Sequence, residues 1–169
     1  MNKMKTYAIL LIAIIAVWVK TVAIHLLSFD LGVETFTQQL ILWLSPLSFL
    51  CIMFSFAFLF RKAKARNLYI LATVFVLDLI LYGNVGFYRF YTDFVTIPVL
   101  SQTSNFGDLG GSIKEILAWS DVLFFIDFFI VLIAVKMMKE QEDTLTHRKR
   151  FMLASMAVAG LVFATNLFF

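Results

Sequence analysis

The chain has 169 residues, of which 62% are hydrophobic and 15% charged, and its mean hydropathy is +0.91. A soluble domain of this length cannot bury so much apolar surface, so the composition predicts a protein whose solvent is largely lipid. The net charge of +3 lies mainly in loops, which indicates membrane topology and contact with anionic head groups rather than a nucleic-acid surface. The single cysteine, Cys51, excludes an internal disulfide and a thiolate zinc cluster, and we interpret it as a small buried hydrophobe.

Five apolar runs follow one another along the chain, and each is close to the length that a bilayer requires. They predict an all-α membrane protein with five transmembrane helices, over residues 7–28, 38–60, 68–88, 116–138 and 151–169. The first run also resembles a signal peptide, but Lys20 is followed by further apolar residues instead of a small-residue cleavage site. A retained helix is therefore favoured. Because there is no internal repeat and no Pro-rich linker, we treat residues 1–169 as one transmembrane domain.

The distribution of Lys and Arg predicts the orientation of these helices. Eleven of the fourteen lie at the N-terminus, in the connection RKAKARN and in the connection that begins at Lys136. Cytoplasmic loops collect such residues, so we expect the N-terminus inside, the segment 89–115 outside and the C-terminus outside. This is the topology of a multi-pass plasma-membrane protein with an extracellular C-terminus. The fifth run ends at NLFF without a polar flank, from which we expect the parent protein to continue on the outer side.

Charged residues inside the predicted spans are the first candidates for a specific site, since a charge at bilayer depth is costly unless it is paired or hydrated. Lys20, Asp78 and Asp127 fall at similar depth in the first, third and fourth spans. A pair between Lys20 and either aspartate would satisfy both ions. Two interpretations remain open: a polar pocket or proton path, and a salt bridge that fixes helix packing. Asp121, at the outer end of its span, is interpreted as an interface residue.

A polar stripe leaves the third span and continues into the outer segment. Its members have the helical spacing i, i+3, i+4 and i+7, and are Arg89, Thr92, Asp93 and Thr96. On a continuous helix Asp78, Tyr82 and Gly86 fall on the same side, so the stripe would run from mid-membrane to the outer surface. Gly83 and Gly86 predict a bend between the spanning part and the surface part.

The remainder of the outer segment is predicted to be a helix, a turn and a helix lying in the membrane interface. Pro98 ends the amphipathic stretch, and Ser112 with Glu115 forms a capping-box pattern ahead of the fourth span. A guanidinium at this level can hold a phosphate bidentately. The candidate residues for lipid head-group binding are Arg89, Asp93, Tyr82, Tyr91 and Lys114. The alternative is an aromatic belt in which Arg89 is only an anchor.

No catalytic or metal-binding constellation is present in the sequence. The two histidines, His25 and His147, are isolated, and no His, Asp and Glu cluster has metal-ligand spacing outside the membrane. Both histidines are interpreted as interfacial or solvated residues. We therefore assign no catalytic residue, no metal ligand and no cofactor to this chain.

Three stretches carry a resemblance to a known family: VKTVAIHLLSFDLGV, LYGNVGFYRFYTDFVTIPVLSQTSNFGDLGGSI and WSDVLFFID. Together they resemble the membrane part of lipoteichoic acid synthases, the polyglycerolphosphate polymerases of Gram-positive bacteria, and the resemblance covers the whole chain in order. It implies five transmembrane helices followed by an extracellular sulfatase-like catalytic domain. That domain would use a threonine nucleophile and manganese to transfer glycerol phosphate from phosphatidylglycerol to a glycolipid-anchored polymer.

The resemblance favours a membrane domain that anchors such a catalytic domain and presents lipid to it. The expected partners are phosphatidylglycerol, the catalytic domain and other cell-envelope or division membrane proteins. The alternatives are an anchor and protein-interaction scaffold without a lipid-presenting role, the membrane part of a related head-group transferase, and a small transporter or channel. Ser155 with Ala159 and Gly160 with Ala164 place small residues four apart on the fifth helix, which suits the scaffold alternative.

Overall fold

The described part of the chain is helical, as the apolar runs predict. A computed structural model describes residues 2–29, 31–91, 119–138 and 148–168, and these ranges contain no strand. The α-helices of these ranges are α1 (Asn2–Ser28), α2 (Phe36–Ser55), α3 (Ala63–Tyr91), α4 (Ile126–Met137) and α5 (Arg148–Phe168). Two 3₁₀ segments, Phe56–Leu59 and Trp119–Phe125, extend the C-terminal end of α2 and precede α4. The all-α class is thereby confirmed.

Three stretches in this part of the chain are long and apolar enough to cross a membrane: Thr6–Ser28, Phe36–Leu59 and Ala63–Arg89. A shorter apolar stretch, Met152–Ala164, lies in α5. The α3 helix passes through Gly83 and Gly86 as one element and ends at Tyr91, so Arg89 belongs to the same helix as Asp78. The predicted surface helices fall almost entirely on residues 92–118, which lie outside the described ranges.

The fourth apolar run differs from the uninterrupted helix that its hydropathy suggests. Its described part begins as the 3₁₀ segment Trp119–Phe125 and becomes α-helical at Ile126. A 3₁₀ helix rises about 2.0 Å per residue and an α-helix about 1.5 Å, so Trp119–Met137 extends roughly 30 Å. The tighter coil lets this short stretch approach the thickness of a hydrocarbon core, which is also about 30 Å.

The start of α2 is specified locally. Thr35 is its N-cap, and Gln38 N donates to Thr35 Oγ1 at 3.3 Å while Thr35 N donates to Gln38 Oε1 at 2.9 Å. This reciprocal capping box satisfies backbone donors that the first helical turn leaves without partners. Gly32 precedes it with φ of +55°, a conformation that favours glycine, and so helps the chain reverse between α1 and α2.

Helix α1 is at the centre of the packing and contacts α2, α3 and α4, whereas α5 packs chiefly on α2. The main core lies among these helices and the Phe56–Leu59 segment, and its most buried members are Ile9, Ala13, Val17, Phe54, Ala57, Ile70, Val74 and Val131. The opposite faces carry exposed large apolar residues, such as Leu27 at 85% and Leu161 at 68% exposure. An apolar outer surface around an apolar core is the arrangement expected of a protein in lipid.

Candidate functional site

A buried ionic cluster joins three helices at the level where the sequence places charged residues in the membrane. The ammonium of Lys20, from α1, contacts Asp78 Oδ1 of α3 and lies 2.7 Å from Asp127 Oδ1 of α4. Its third contact is the backbone carbonyl of Phe124, at 2.8 Å. Lys20 thus bridges both aspartates at once, whereas sequence reasoning considered a pair with one or the other.

The elements around the cluster position each of its side chains. Asp127 lies in the first turn of α4, where backbone N–H groups and the helix dipole favour a negative charge. Phe124 lies at the junction between the 3₁₀ segment and α4, so this change of helix type places a carbonyl oxygen beside Lys20. Asp78 is fully buried, and Asp127 is 1% exposed.

A second polar cluster lies further along α3. Arg89 Nη1 donates to Asp121 Oδ1 at 3.0 Å and to Oδ2 at 3.3 Å, and the Tyr82 hydroxyl donates to Oδ2 at 3.2 Å. The Asp121 side chain is only 8% exposed, whereas that of Arg89 is 35% exposed. Asp121 is therefore the partner of Arg89 rather than a simple interface residue, and sequence reasoning missed this role.

A signal for this pairing was present in the sequence. The third span runs outward and the fourth runs inward in the predicted topology, so Arg89 and Asp121 are both at outer ends while Asp78 and Asp127 are both deeper. Matching polar residues by depth along two antiparallel neighbours would have suggested the pair. The contact also required that α3 and the fourth run be adjacent, which the spacing within one run does not specify.

Aromatic side chains pack around the second cluster. Tyr82 contacts the ring of Phe124 with centroids 5.3 Å apart, and Phe29 contacts Tyr88 at 4.9 Å. Phe29, Val85 and Phe124 are buried at the centre of this group. Because Phe124 offers its carbonyl to Lys20 and its ring to Tyr82, it links the deeper cluster to the outer one.

The remaining sequence candidates are only partly described. Asp93 and Lys114 lie outside the described residues, as does His147, and Tyr91 is described only as the last residue of α3. His25 Nδ1 lies 2.8 Å from the carbonyl of Thr21 on its own helix, and its ring contacts Phe29. Within the part of the chain that the structure describes, no group of three or more His, Cys, Asp and Glu residues is placed to hold a metal ion. These residues therefore do not fit a manganese site.

A crevice of about 360 Å³ lies between α1, α2 and α5, and none of its lining residues belongs to either cluster. It is lined mainly by apolar side chains, among them Leu10, Phe54 and Val158. Ser155 of α5 donates to the carbonyl of Cys51 beside it, and Ala159 is fully buried. Gly160 is exposed, and a Cβ added there would meet nothing within 4 Å. Of the four small residues noted in the sequence of α5, Ser155 and Ala159 thus face the bundle, and Gly160 does not. The fourth, Ala164, is half-buried.

Comparison with known proteins gives a consistent family. Residues 1–169 match the family model described as the lipoteichoic acid synthase N-terminal domain. The chain is 36% identical over 167 residues to lipoteichoic acid synthase 2 of Bacillus subtilis, covering 98% of this chain and 25% of that protein. It is 39% identical over 145 residues to the lipoteichoic acid synthase-like protein YvgJ of the same organism, covering 85% of this chain and 23% of that protein.

A third relative is the lipoteichoic acid synthase of Staphylococcus aureus strain USA300, with 32% identity over 168 residues, covering 99% of this chain and 26% of that protein. The chain thus spans about a quarter of the length of the curated relatives it matches. No solved structure matches it. The full-length family match and the relatives above 30% identity agree, and the chain belongs to the lipoteichoic acid synthase N-terminal domain family.

Proposed function

We propose that this chain anchors a lipoteichoic acid synthase in the plasma membrane and presents phosphatidylglycerol to an extracellular catalytic domain that transfers glycerol phosphate. The single observation that carries the proposal is the Arg89, Asp121 and Tyr82 cluster at the end of α3. In the proposed topology this end is the outer one, which is the side on which the lipid would be offered. The topology has five spans, an internal N-terminus and an external C-terminus.

Arg89 is the proposed phosphate ligand, and Asp121 is proposed to position it. The Asp121 carboxylate contacts Nη1 of the guanidinium, which orients a long side chain that is still 35% exposed. An ion pair in which one partner is this exposed contributes about 0–1 kcal/mol, so a bidentate contact with the singly charged phosphodiester of a lipid can compete with it. Tyr91, Asp93 and Lys114, which follow Arg89 in the outer segment, are proposed to complete the head-group site.

The test uses charge-altering variants in the full-length parent. Arg89→Ala should reduce polymer synthesis from phosphatidylglycerol several-fold while leaving the amount of protein in the membrane unchanged. Arg89→Lys should retain part of the activity, because an ammonium keeps the charge but not the planar fork. Arg61→Ala, at an exposed position of the predicted cytoplasmic loop, is the matched control. Normal polymer yield from Arg89→Ala would contradict the role given to this residue.

The scaffold alternative is favoured by one observation, the open face at Gly160 on α5, which would permit close approach of another helix. Lipid analysis separates the two proposals. A presenting domain should retain phosphatidylglycerol through purification and lose it in Arg89→Ala, whereas a scaffold should show the same lipid content in both. The related transferase alternative predicts retention of a different phospholipid, and the transporter alternative predicts solute flux through the isolated domain.

A further inference from the structure

The hydrogen bonds of the deeper cluster match the three donors of a charged Lys20. Its Nζ donates to Asp78 Oδ1, Asp127 Oδ1 and Phe124 O. An ammonium has three N–H donors, whereas a neutral amine has two. Three oxygen atoms surround this nitrogen, and an ammonium can donate to all of them, which uses all of its donors.

The two aspartates then carry one negative charge more than Lys20 can balance. Among the described residues Lys20 is the one cation that contacts either aspartate. Helix α2 contains no charged residue, Arg66 of α3 donates to Thr6, Lys136 is exposed at the end of α4, and His25 of α1 lies beside Thr21. The other basic residues of α1, Lys3 and Lys5, lie near the start of that helix. On α3 and the 3₁₀ segment, Arg89 and the Tyr82 hydroxyl are directed to Asp121. An uncompensated charge in a low-dielectric interior costs several kcal/mol.

The second oxygen atom of each carboxyl group, Oδ2, is a place where a bound proton would neutralise the excess negative charge. Asp78 Oδ2 and Asp127 Oδ2 are buried and have no hydrogen-bond partner among the described residues. Both carboxyl groups contact the same nitrogen through Oδ1, which holds the two groups close together. Two carboxylates cannot donate to one another, but a carboxylic acid can donate its O–H to a carboxylate.

We infer that Asp78 and Asp127 together bind one proton, shared between their free oxygens, so that the cluster consists of an ammonium, a carboxylate and a carboxylic acid with no net charge. The site is a proton-binding site at the centre of the membrane domain, formed by α1, α3 and α4. It is independent of the proposed lipid presentation, because none of its residues belongs to the Arg89 cluster. In other proteins, too, two carboxyl groups held close together tend to keep one proton between them, because two negative charges at short distance repel each other.

Infrared spectroscopy of the chain in lipid nanodiscs at neutral pH tests the inference directly. The wild type should show the C=O stretching band of a protonated carboxylic acid. Both Asp78→Asn and Asp127→Asn should abolish that band, because either change leaves a single carboxylate that pairs with Lys20. Asp121→Asn, in the outer cluster, is the matched control and should leave the band unchanged.

Thermal stability provides a second readout, which does not depend on resolving the infrared band. Each single Asn variant keeps one negative charge beside Lys20, so its melting temperature should stay near that of the wild type. The double variant Asp78→Asn/Asp127→Asn leaves Lys20 without a counter-charge and should melt far lower than the sum of the two single effects predicts. Additive losses in the double variant, or the absence of a protonated-carboxyl band in the wild type, would overturn the inference. A wild-type melting temperature that rises with Na⁺ concentration, together with no such band, would assign the site to a small cation instead.

Discussion

Replacing Lys20 by Met tests whether the deeper cluster stabilises the helix bundle through its charge. Methionine keeps most of the length and volume of the side chain, so the change removes the ammonium and its three hydrogen bonds while largely preserving the packing of α1. Asp78 and Asp127, which are 0% and 1% exposed, then lose their shared cation. The protein must leave the carboxyl groups uncompensated or protonate both.

The expected magnitude separates two explanations. Interhelical hydrogen bonds in membranes contribute about 0.6 kcal/mol each on average, so the loss of three neutral bonds would cost about 2 kcal/mol. Removing one partner of a buried ionic group costs about 3–5 kcal/mol. We expect the larger value, because both carboxyl groups are buried. At roughly 2–4 °C per kcal/mol for a chain of this size, the melting temperature should fall by about 6–20 °C.

Tryptophan fluorescence during thermal unfolding in detergent micelles is a suitable assay, because Trp18 of α1 contacts Trp43 of α2 with centroids 5.7 Å apart. Lys136→Met is the matched control, since Lys136 is exposed at the end of α4 and its loss should change the melting temperature little. The triple variant Lys20→Met/Asp78→Asn/Asp127→Asn should recover much of the loss by removing the buried charges. A Lys20→Met variant as stable as Lys136→Met would refute this explanation.

Two further changes probe the packing and the helix starts. Ala159→Leu should destabilise the bundle by about 1–3 kcal/mol in the same unfolding assay. Ala159 is fully buried where α5 packs on α2, so a larger side chain overfills the contact. Gly160→Ala, at the adjacent open position, should be neutral or slightly stabilising. Thr35→Ala should lower the stability of the protein by about 1 kcal/mol, because it removes the capping box of α2. Thr35→Ser should keep the stability of the wild type, since serine retains the hydroxyl that caps the helix. An equal loss in both variants would contradict the capping role.

Local patterns in the sequence were enough to predict the helical class and the family. Apolar runs of bilayer length predict helices because each backbone polar group in lipid must bond within its own segment. The depth of Lys20, Asp78 and Asp127 can likewise be counted from the ends of the runs, because the helical rise per residue is constant. The number of spans, their orientation and the surface helices remain predictions.

Tertiary structure decided which of these residues meet. Whether Lys20 contacts one aspartate or both depends on how α1, α3 and α4 are rotated about their axes, and it makes both contacts. The pairing of Arg89 with Asp121 depends on α3 lying beside the fourth run, and the 3₁₀ segment that brings Phe124 O to Lys20 has no separate signal in the hydropathy. A run of apolar residues specifies that a helix is buried in lipid, but it leaves the choice of neighbour and the rotation to side-chain packing, which involves residues far apart in the chain.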